Sequence, residues 1–264
     1  MNRTNIPYLT HSWSPTKGCT CVSPGCRFCW AKQMSKRLAG MNDRGYDKDD
    51  PFAVTMFLER LNEPLSVKKP AIVGVSFMGD LWHDLVSWNF QYSVFECMLL
   101  APRHTFMILT KRPENMRKAI RNIYIHLERN YYKENIKLPL KNLWLGVSVE
   151  NPDNMWRVKT LLDTPAARHW ISVEPMLEPI NLNLCIECQS QPGECYEHNK
   201  LDLIVCGCES GKNRRPCNID WVRSLRDQCK EANVPFYLKQ LEQDGQVVEM
   251  PLLDGKVYNE LPQQ

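Results

Sequence analysis

Strand-like apolar runs alternate with helix-like segments along the chain, and this alternation constrains the fold more than any other feature. Apolar runs typical of buried strands cover 71–78, 105–110, 143–149, 169–173, 203–206 and 235–238, with an earlier one near 8–13. Amphipathic segments lie at roughly 30–39, 51–62, 88–100, 113–129, 152–163 and 219–232. Apolar strands separated by helices indicate parallel β-α units. About seven such units predict an α/β protein with a full or partial β/α barrel, and a doubly wound open sheet is the alternative.

Composition limits the class of protein. The 264 residues contain no internal repeat and suit a single domain over 1–264. No apolar run is long enough to span a membrane, and the first residues lack the apolar segment of a signal peptide. We therefore expect a cytoplasmic protein with no membrane partner. In that compartment disulfides are rare, so the 12 cysteines indicate metal or redox chemistry. A net charge of +3 permits a nucleic-acid partner without requiring one.

Polar side chains follow the predicted strands where each strand ends. In a β/α barrel these ends form one face, on which active sites are built. A single polar end is explained equally well by loop capping, but their recurrence favours a site. The residues are Gly79, Asp80, Lys111, Arg112, Ser148, Glu150, Ser172, Glu174, Cys208, Glu209, Ser210 and Lys239.

A cysteine-rich loop follows the first predicted strand. Cys19, Cys26 and Cys29 lie in it, and a helix-like segment follows directly. Three thiolates can hold three irons of a four-iron cluster, which leaves the fourth iron open to a small molecule. The alternative is a closed zinc site that also uses Cys21. Whether Cys19 or Cys21 supplies the first cluster ligand stays open.

A second group of metal-binding residue types lies in the polar stretch 181–201. Its order is Cys-x2-Cys-x6-Cys-x2-His, formed by Cys185, Cys188, Cys195 and His198. Four such ligands favour zinc, which would stabilise a knuckle too small for its own core. An auxiliary iron–sulfur cluster and reduced surface cysteines are the alternatives.

The cysteine loop resembles the signature of radical S-adenosylmethionine (SAM) enzymes, Cys-x3-Cys-x-aromatic-Cys. Here six residues separate Cys19 from Cys26, and four separate Cys21 from Cys26. More closely, nearly the full chain resembles a phage-encoded three-cysteine-motif family of uncharacterised, radical-SAM-like proteins. The matching stretches are those around Gly18 to Cys29, Gly79 to His83, Leu109 to Pro113, Trp144 to Glu150, Ser172 to Pro175, Gly207 to Gly211, Trp221 to Arg226 and Phe236 to Gln240.

The resemblance implies a barrel of the radical-SAM type with a small metal-binding insertion. It also implies a [4Fe–4S] cluster whose open iron binds SAM, cleavage of SAM to a 5′-deoxyadenosyl radical, and an electron donor such as flavodoxin. Phe28 matches the aromatic position near the adenine. Gly79 and Asp80 stand where the methionine amino group is received, although the usual motif is Gly-Gly-Glu. Ser148 and Glu150 match the strand that meets the ribose, and Glu174 belongs to the same rim.

Three cations at the proposed mouth have two interpretations. Lys111, Arg112 and Lys239 bind the cofactor carboxylate or a substrate phosphate, or they pair with Glu150, Glu174 or Glu209. Strand alternation directs Cys206 and Cys208 to one side, with Cys208 nearest the mouth. The candidate catalytic residues are therefore Cys208 as a hydrogen-donating thiol, Lys239 and Glu209.

The sequence leaves three functional hypotheses. The first is a radical-SAM enzyme that modifies or isomerises a phage DNA base or nucleotide in the host cytoplasm. The second is a non-enzymatic zinc protein that binds nucleic acid or a protein partner, with zinc at both cysteine groups. The third is a radical-SAM-like scaffold without catalysis, because the cysteine spacing is altered and Gly-Gly-Glu is missing.

Overall fold

A computed structural model describes residues 1–43, 45–131, 136–182, 201–211 and 213–263. Its α-helices are α1 (Trp30–Gly40), α2 (Glu63–Ser66), α3 (Trp88–Leu100), α4 (Pro113–Asn130), α5 (Trp156–Leu162) and α6 (Ile219–Glu231). Its strands are β1 (Asn2–Arg3), β2 (His11–Trp13), β3 (Thr16–Lys17), β4 (Thr55–Met56), β5 (Ile72–Val75), β6 (Thr105–Thr110), β7 (Leu143–Ser148), β8 (Arg168–Val173), β9 (Leu201–Gly207), β10 (Phe236–Gln243) and β11 (Gln246–Glu249). The predicted knuckle at 181–201, with Cys185, Cys188, Cys195 and His198, lies almost entirely outside the described residues.

A large, mostly parallel sheet dominates the fold. Within the described residues its order is β1-β2-β5-β6-β7-β8-β9-β10-β11, and neighbours from β2 to β10 are parallel. Each parallel strand therefore pairs with the next one along the sheet, without a reversal of order. Since β-α-β crossovers are right-handed, an order without reversal places the connecting helices on one face. A doubly wound sheet needs a reversal, so the strand order favours a barrel-like α/β fold over that alternative.

The two faces of the sheet carry different cores. The main core joins strand residues to helix residues such as Val94, Ile120 and Leu225. A smaller cluster on the other face, called here the inner face, contains no helix residue. Its members are Tyr8, Leu9, Met107, Trp144, Trp170, Leu203, Val205 and Tyr237. Side chains alternate between faces along a strand, so β6 sends Phe106 and Ile108 to the main core and Met107 to the inner face.

The sheet curves around its inner face. The ring of Tyr8, just before β2, lies 5.5 Å from the ring of Tyr237 in β10. Tyr8 also contacts Trp170 of β8, with the ring centroids 6.1 Å apart. Aromatic rings thus bridge strands from opposite ends of the parallel sheet. Antiparallel strands β1 and β11 form the two edges and do not pair with each other, so the described sheet is an open, barrel-like one.

The connecting helices begin where local chemistry predicts. The Ser87 hydroxyl accepts from the backbone N–H of Phe90 at the start of α3, and the Asn218 side chain caps α6 through Asp220. Pro113 occupies the first turn of α4, where its missing N–H has no cost. The predicted helices near 30–39, 88–100, 113–129 and 219–232 are confirmed. None of the described helices is long and apolar enough to cross a membrane.

The helix predicted over 51–62 is wrong. Strand β4 and a short 3₁₀ turn at Leu58–Arg60 occupy this segment, and the four-residue α2 follows it. The segment pairs with the chain that leads into the cysteine loop: Thr55 and Met56 of β4 face β3, and the Phe57 N–H donates to the Pro15 carbonyl. Tertiary backbone pairing therefore outweighed a weak local helical preference.

Candidate functional site

A cavity opens at the carboxyl ends of the parallel strands. It is lined by the cysteine loop on one side and by polar strand ends on the other. Ser148 of β7 and Ser172 of β8 are register partners and lie side by side at its wall. The structure thus brings together most of the strand-end residues that the sequence singles out. Those lining the cavity are Gly79, Asp80, Lys111, Arg112, Ser148, Ser172, Glu174, Glu209, Ser210 and Lys239.

The thiols of the cysteine loop lie in two different environments. Cys19, Cys26 and Cys29 line the cavity, together with Phe28. Cys21 is exposed, does not line the cavity, and donates to the Ser23 carbonyl. Cys29 directly precedes α1, at the amino end of that helix. The geometry therefore places Cys19, and not Cys21, at the cavity wall with Cys26 and Cys29.

Two glycines let the loop lie against the end of β5. The Gly18 N–H donates to the Met78 carbonyl at 3.0 Å, and Gly18 has a φ of +80°. A Cβ on Gly79 would lie 2.7 Å from the Gly18 carbonyl oxygen, so no larger residue fits there. The role that the geometry gives to Gly79 is close backbone approach to the cysteine loop.

Asp80 is buried in a hydrogen-bond network. Its carboxylate accepts from the Thr110 hydroxyl at 2.8 and 2.9 Å, from the Trp82 N–H at 3.0 Å, and from Arg112 Nη1 at 3.1 Å. Both oxygens of this expected acceptor for the methionine amino group are thus already engaged. Asp80 still lines the cavity, where it supplies a buried negative charge beside the Cys19 thiol.

Glu150 lies beneath the cysteine loop and outside the lining of the cavity. It is fully buried and pairs with Arg157 at 2.9 Å, and its other oxygen accepts from the Gly25 N–H at 3.3 Å. A Cβ on Gly25 would lie 3.1 Å from the Glu150 carboxyl group. The resemblance places Glu150 at the ribose, whereas its contacts make it a support for the loop.

Glu209 holds the same loop through an arginine that the sequence analysis missed. Arg215 donates to both Glu209 oxygens and to the Pro24 carbonyl, the last at 3.1 Å. Its guanidinium also lies 5.4 Å from the centroid of the Phe28 ring. The candidate catalytic residue Glu209 is therefore bound in an ion pair that ties the end of β9 to the cysteine loop.

The three predicted cations have three different environments. Lys239 pairs with Glu174 at 2.5 Å, and Arg112 pairs with Asp80. Within the part of the chain that the structure describes, Lys111 forms no ion pair, although it lines the cavity. The pairing interpretation is therefore confirmed for Lys239, whose partner is Glu174, while Arg112 pairs with Asp80 instead of one of the expected glutamates. For Lys111 the binding of an anion stays a prediction.

Cys208 lies away from the cavity. It is buried and does not line the cavity wall, whereas Cys206 belongs to the main core. Burial and the nearby Cys217 raise the pKa of the Cys208 thiol to about 12. Cys217 also raises the pKa of Cys206, so both thiols lie near Cys217, as alternation along the strand predicts. This placement does not support a hydrogen-donating role for Cys208 in the cavity.

The cavity thiols differ in their electrostatics. Burial and the Asp80 charge raise the pKa of Cys19 to about 11, although Arg112 opposes both. The pKa of Cys26 is lowered: burial raises it, but Lys111 and hydrogen bonds from the backbone of Val22 and Ser23 outweigh burial. A metal ligand must be deprotonated, and a bound metal drives that deprotonation itself.

The cavity wall carries three thiol donors. Among the described residues, no three His, Cys, Asp or Glu side chains converge as ligands of one metal ion. A structural zinc uses four such ligands around one point, whereas in a four-iron cluster each thiolate binds a different iron. Cys19, Cys26 and Cys29 are ligands of the chemical type that a four-iron cluster uses, and all three line the cavity.

Two aromatic residues that no sequence motif predicts complete the cavity. Tyr8 and Phe77 line it and contact Trp170, which belongs to the inner-face cluster. The pKa of Tyr8 is well above its usual value because the side chain is buried and lies near Glu174. Tyr8 precedes β2 and Phe77 follows β5, so only the curvature of the sheet shows that both contact Trp170 of β8.

Comparison with known proteins gives a family and no function. No curated protein and no solved structure shows significant similarity to the chain. A match to one family extends over residues 3–262, which is nearly the whole length. The chain therefore belongs to the family described as Protein of unknown function (DUF5131).

Proposed function

We propose that this protein is a radical SAM enzyme whose Cys19, Cys26 and Cys29 hold a [4Fe–4S] cluster. The observation that carries the proposal is the separation of thiols within one loop. Three of them line the cavity at the carboxyl ends of the parallel strands, and the exposed Cys21 does not. Three protein ligands leave one iron of a four-iron cluster open to a small molecule.

The surroundings of the thiols support this assignment. Lys111 lowers the pKa of Cys26, and Arg112 opposes the rise that burial and Asp80 cause in the pKa of Cys19. Nearby positive charge favours thiolates, which are the form that binds iron. A bound cluster would supply the electron that cleaves the sulfonium of SAM, and an external donor such as flavodoxin would supply it in turn.

The chain's own residues would bind and orient the ligands. Tyr8, Phe28 and Phe77 offer flat apolar surfaces, and Ser148 and Ser172 offer hydroxyl groups. Lys111 is the cavity cation that lacks an ion pair among the described residues, so it can receive a carboxylate or a phosphate.

A nucleotide or a DNA base is the substrate class we propose. Such a substrate combines a planar ring with an anionic group, which suits aromatic walls beside a free cation. Isomerisation or another modification of the base is chemistry that a carbon radical can initiate.

The test compares two cysteine variants of one loop. Wild-type protein, Cys19→Ala and Cys21→Ala are reconstituted anaerobically with iron and sulfide, and 5′-deoxyadenosine is measured by mass spectrometry after addition of SAM and a reductant. We expect wild type and Cys21→Ala to form 5′-deoxyadenosine, and we expect Cys19→Ala to lose cluster and product together. Equal loss in both variants, or a colourless protein that retains only zinc, would refute the proposal and favour a zinc protein.

A further inference from the structure

The Arg112 side chain donates four hydrogen bonds beside the cavity thiols. It lies between β6 and α4, and its side chain is 8% exposed. One terminal nitrogen, Nη1, donates to the Cys19 sulfur at 3.0 Å and to Asp80 at 3.1 Å. The other, Nη2, donates to the Thr20 carbonyl at 3.1 Å and to the Thr20 hydroxyl at 2.7 Å. Two donor groups of one guanidinium thus hold the Cys19–Thr20 backbone and the Cys19 sulfur at once.

The contact with sulfur has a fixed direction. A guanidinium has donors and no acceptor, so the Cys19 sulfur must accept the hydrogen bond. Charge-assisted hydrogen bonds of this kind are roughly twice as strong as neutral ones. In the described part of the chain, Cys19 is the cavity thiol that receives such a donor. The side-chain hydrogen-bonding partner of Cys26 is instead the neutral Ser23 hydroxyl, at 3.9 Å, beside the backbone of Val22 and Ser23.

Asp80 gives the same sulfur an opposing charge. It shares Arg112 Nη1 with Cys19, and its position is fixed by Thr110 and by the Trp82 N–H. A cation and an anion are therefore both held in place beside one ligand atom. The electronic state of a metal centre depends on hydrogen bonds to its ligand sulfurs and on nearby charge.

We propose that Arg112 is a positioning residue that hydrogen-bonds the metal-bound sulfur of Cys19 and shifts the reduction potential of the metal centre, and that the charge of Asp80 shifts it in the opposite direction. This inference rests on the proposed function, because it requires a metal at Cys19. Reduction adds negative charge to an iron–sulfur cluster. The Arg112 cation therefore raises the reduction potential, and the Asp80 anion lowers it.

The experiment measures reduction potentials of the full-length, anaerobically reconstituted protein by redox titration monitored with electron paramagnetic resonance. The variants are Arg112→Gln, Arg112→Lys and Asp80→Asn. Arg117→Gln is the matched control, because Arg117 lies in α4, which Arg112 directly precedes, carries the same charge, and pairs with Asp163 outside the cavity. Iron and sulfide content is measured for each variant before titration.

The expected shifts have opposite signs. Arg112→Gln lowers the potential, Asp80→Asn raises it, Arg112→Lys falls between wild type and Arg112→Gln, and Arg117→Gln matches wild type. A merely structural role does not predict a rise in one variant and a fall in the other. If Arg112→Gln fails to load a cluster, the sign of the Asp80→Asn shift decides. No shift in either loaded variant would overturn the inference.

A separate readout distinguishes failure of the proposed function from failure of this inference. If wild type takes up no iron–sulfur cluster, the proposed function fails. Cobalt(II) titration then tests Arg112 through the sulfur-to-cobalt charge-transfer band. A band that shifts in Arg112→Gln but not in Arg117→Gln supports the hydrogen bond to a metal-bound Cys19. Absence of a band, or one band position in all variants, overturns the inference.

Discussion

Two glycines on the inner face of the sheet leave room for the large side chains that fill it. A Cβ on Gly146 of β7 would lie 2.4 Å from the Trp170 indole, and one on Gly74 of β5 would lie 2.5 Å from Leu9. Both distances are far below ordinary contact, and neither neighbour can move without disturbing the aromatic packing below the cavity. Glycine is therefore required at both positions, because Trp170 and Leu9 occupy the space that a Cβ would fill.

Alanine at Gly146 should therefore destabilise the protein. We expect Gly146→Ala to lower the free energy of unfolding by about 1–3 kcal/mol, because the added methyl overpacks the site next to Trp170. Gly40→Ala is the matched control: Gly40 ends α1 and has open space where a Cβ would stand. That change should be neutral or stabilising by about 0.5–1 kcal/mol. Urea denaturation of both variants measures the difference, and equal midpoints would contradict the packing argument.

The cavity residues differ in how far the sequence could predict them. Spacing places four cysteines in one short loop, but it does not decide whether Cys19 or Cys21 lines the cavity with Cys26 and Cys29. Arg112 and Arg215 act on that loop across 93 and 191 residues of sequence. No local pattern marks such a partner, since the contact exists only after β6 and β9 are placed beside the loop. The support given by Glu150 to Gly25 was missed for the same reason.

The cysteine loop is an element held mainly by its neighbours. It contains one short 3₁₀ turn, at Pro24–Cys26, and otherwise little regular structure. The end of β5 and three further strand ends instead supply its hydrogen bonds: Met78 and His83 after β5, Arg112 after β6, Glu150 after β7, and Arg215 with Glu209 after β9. A loop fixed in this way keeps its thiols ordered before any metal binds, which reduces the entropy lost on binding.

Removal of the Arg215 side chain should increase the mobility of the cysteine loop and leave the rest of the fold unchanged. Arg215→Ala removes the hydrogen bond to Pro24 and the cation beside Phe28, so backbone amides of residues 19–29 should exchange about tenfold faster. Arg223→Ala is the control, because Arg223 pairs with Asp220 and Asp254 on the exposed side of α6. Hydrogen exchange followed by mass spectrometry resolves the loop peptide. Identical exchange of that peptide in the two variants would show that Arg215 does not hold the loop.

Helices and strands could be predicted where a segment has its own hydrophobic periodicity. They could not be predicted where a strand forms only because its backbone pairs with another segment. The pattern of α4 predicted 113–129, and the helix spans Pro113–Asn130. By contrast, β3 and β4 are two residues long and exist because each pairs with the other. The antiparallel edge strands β1 and β11 escaped notice for the same reason, since short exposed strands have no apolar run.

At the scale of the whole molecule, the parallel β-α pattern could be predicted, whereas the strand order and the closure of the sheet could not. Alternating strands and helices imply parallel neighbours, and the observed sheet has them. Closure depends on whether the edge strands meet, which is set by curvature and by contacts such as Tyr8 with Tyr237. These contacts join the segment before β2 to β10, the last parallel strand, so the cluster on the inner face connects the two ends of the parallel sheet.

Burial of ionisable side chains makes the stability of the whole fold depend on pH. Burial raises the pKa of the Cys97, Cys217 and Cys229 thiols from 9.0 to between about 11 and 12. It lowers the pKa of His83, His104 and His169 from 6.5. Raised thiol values contribute stability that is complete below about pH 9 and is lost as pH rises toward the folded values. Lowered histidine values contribute stability that is complete above about pH 6.5 and is lost as pH falls.

Stability should therefore form a plateau between about pH 6.5 and pH 9 and fall on both sides. Urea midpoints of the metal-free protein, measured under reducing conditions from about pH 5 to pH 11, test this expectation. Cys97→Ala removes one buried thiol that lies in the main core, away from the cavity, so its alkaline loss should be smaller than that of wild type. A midpoint that stays constant from about pH 8 to pH 11 would contradict the argument, because a protein that buries neutral thiols must lose stability once the unfolded chain can ionise them.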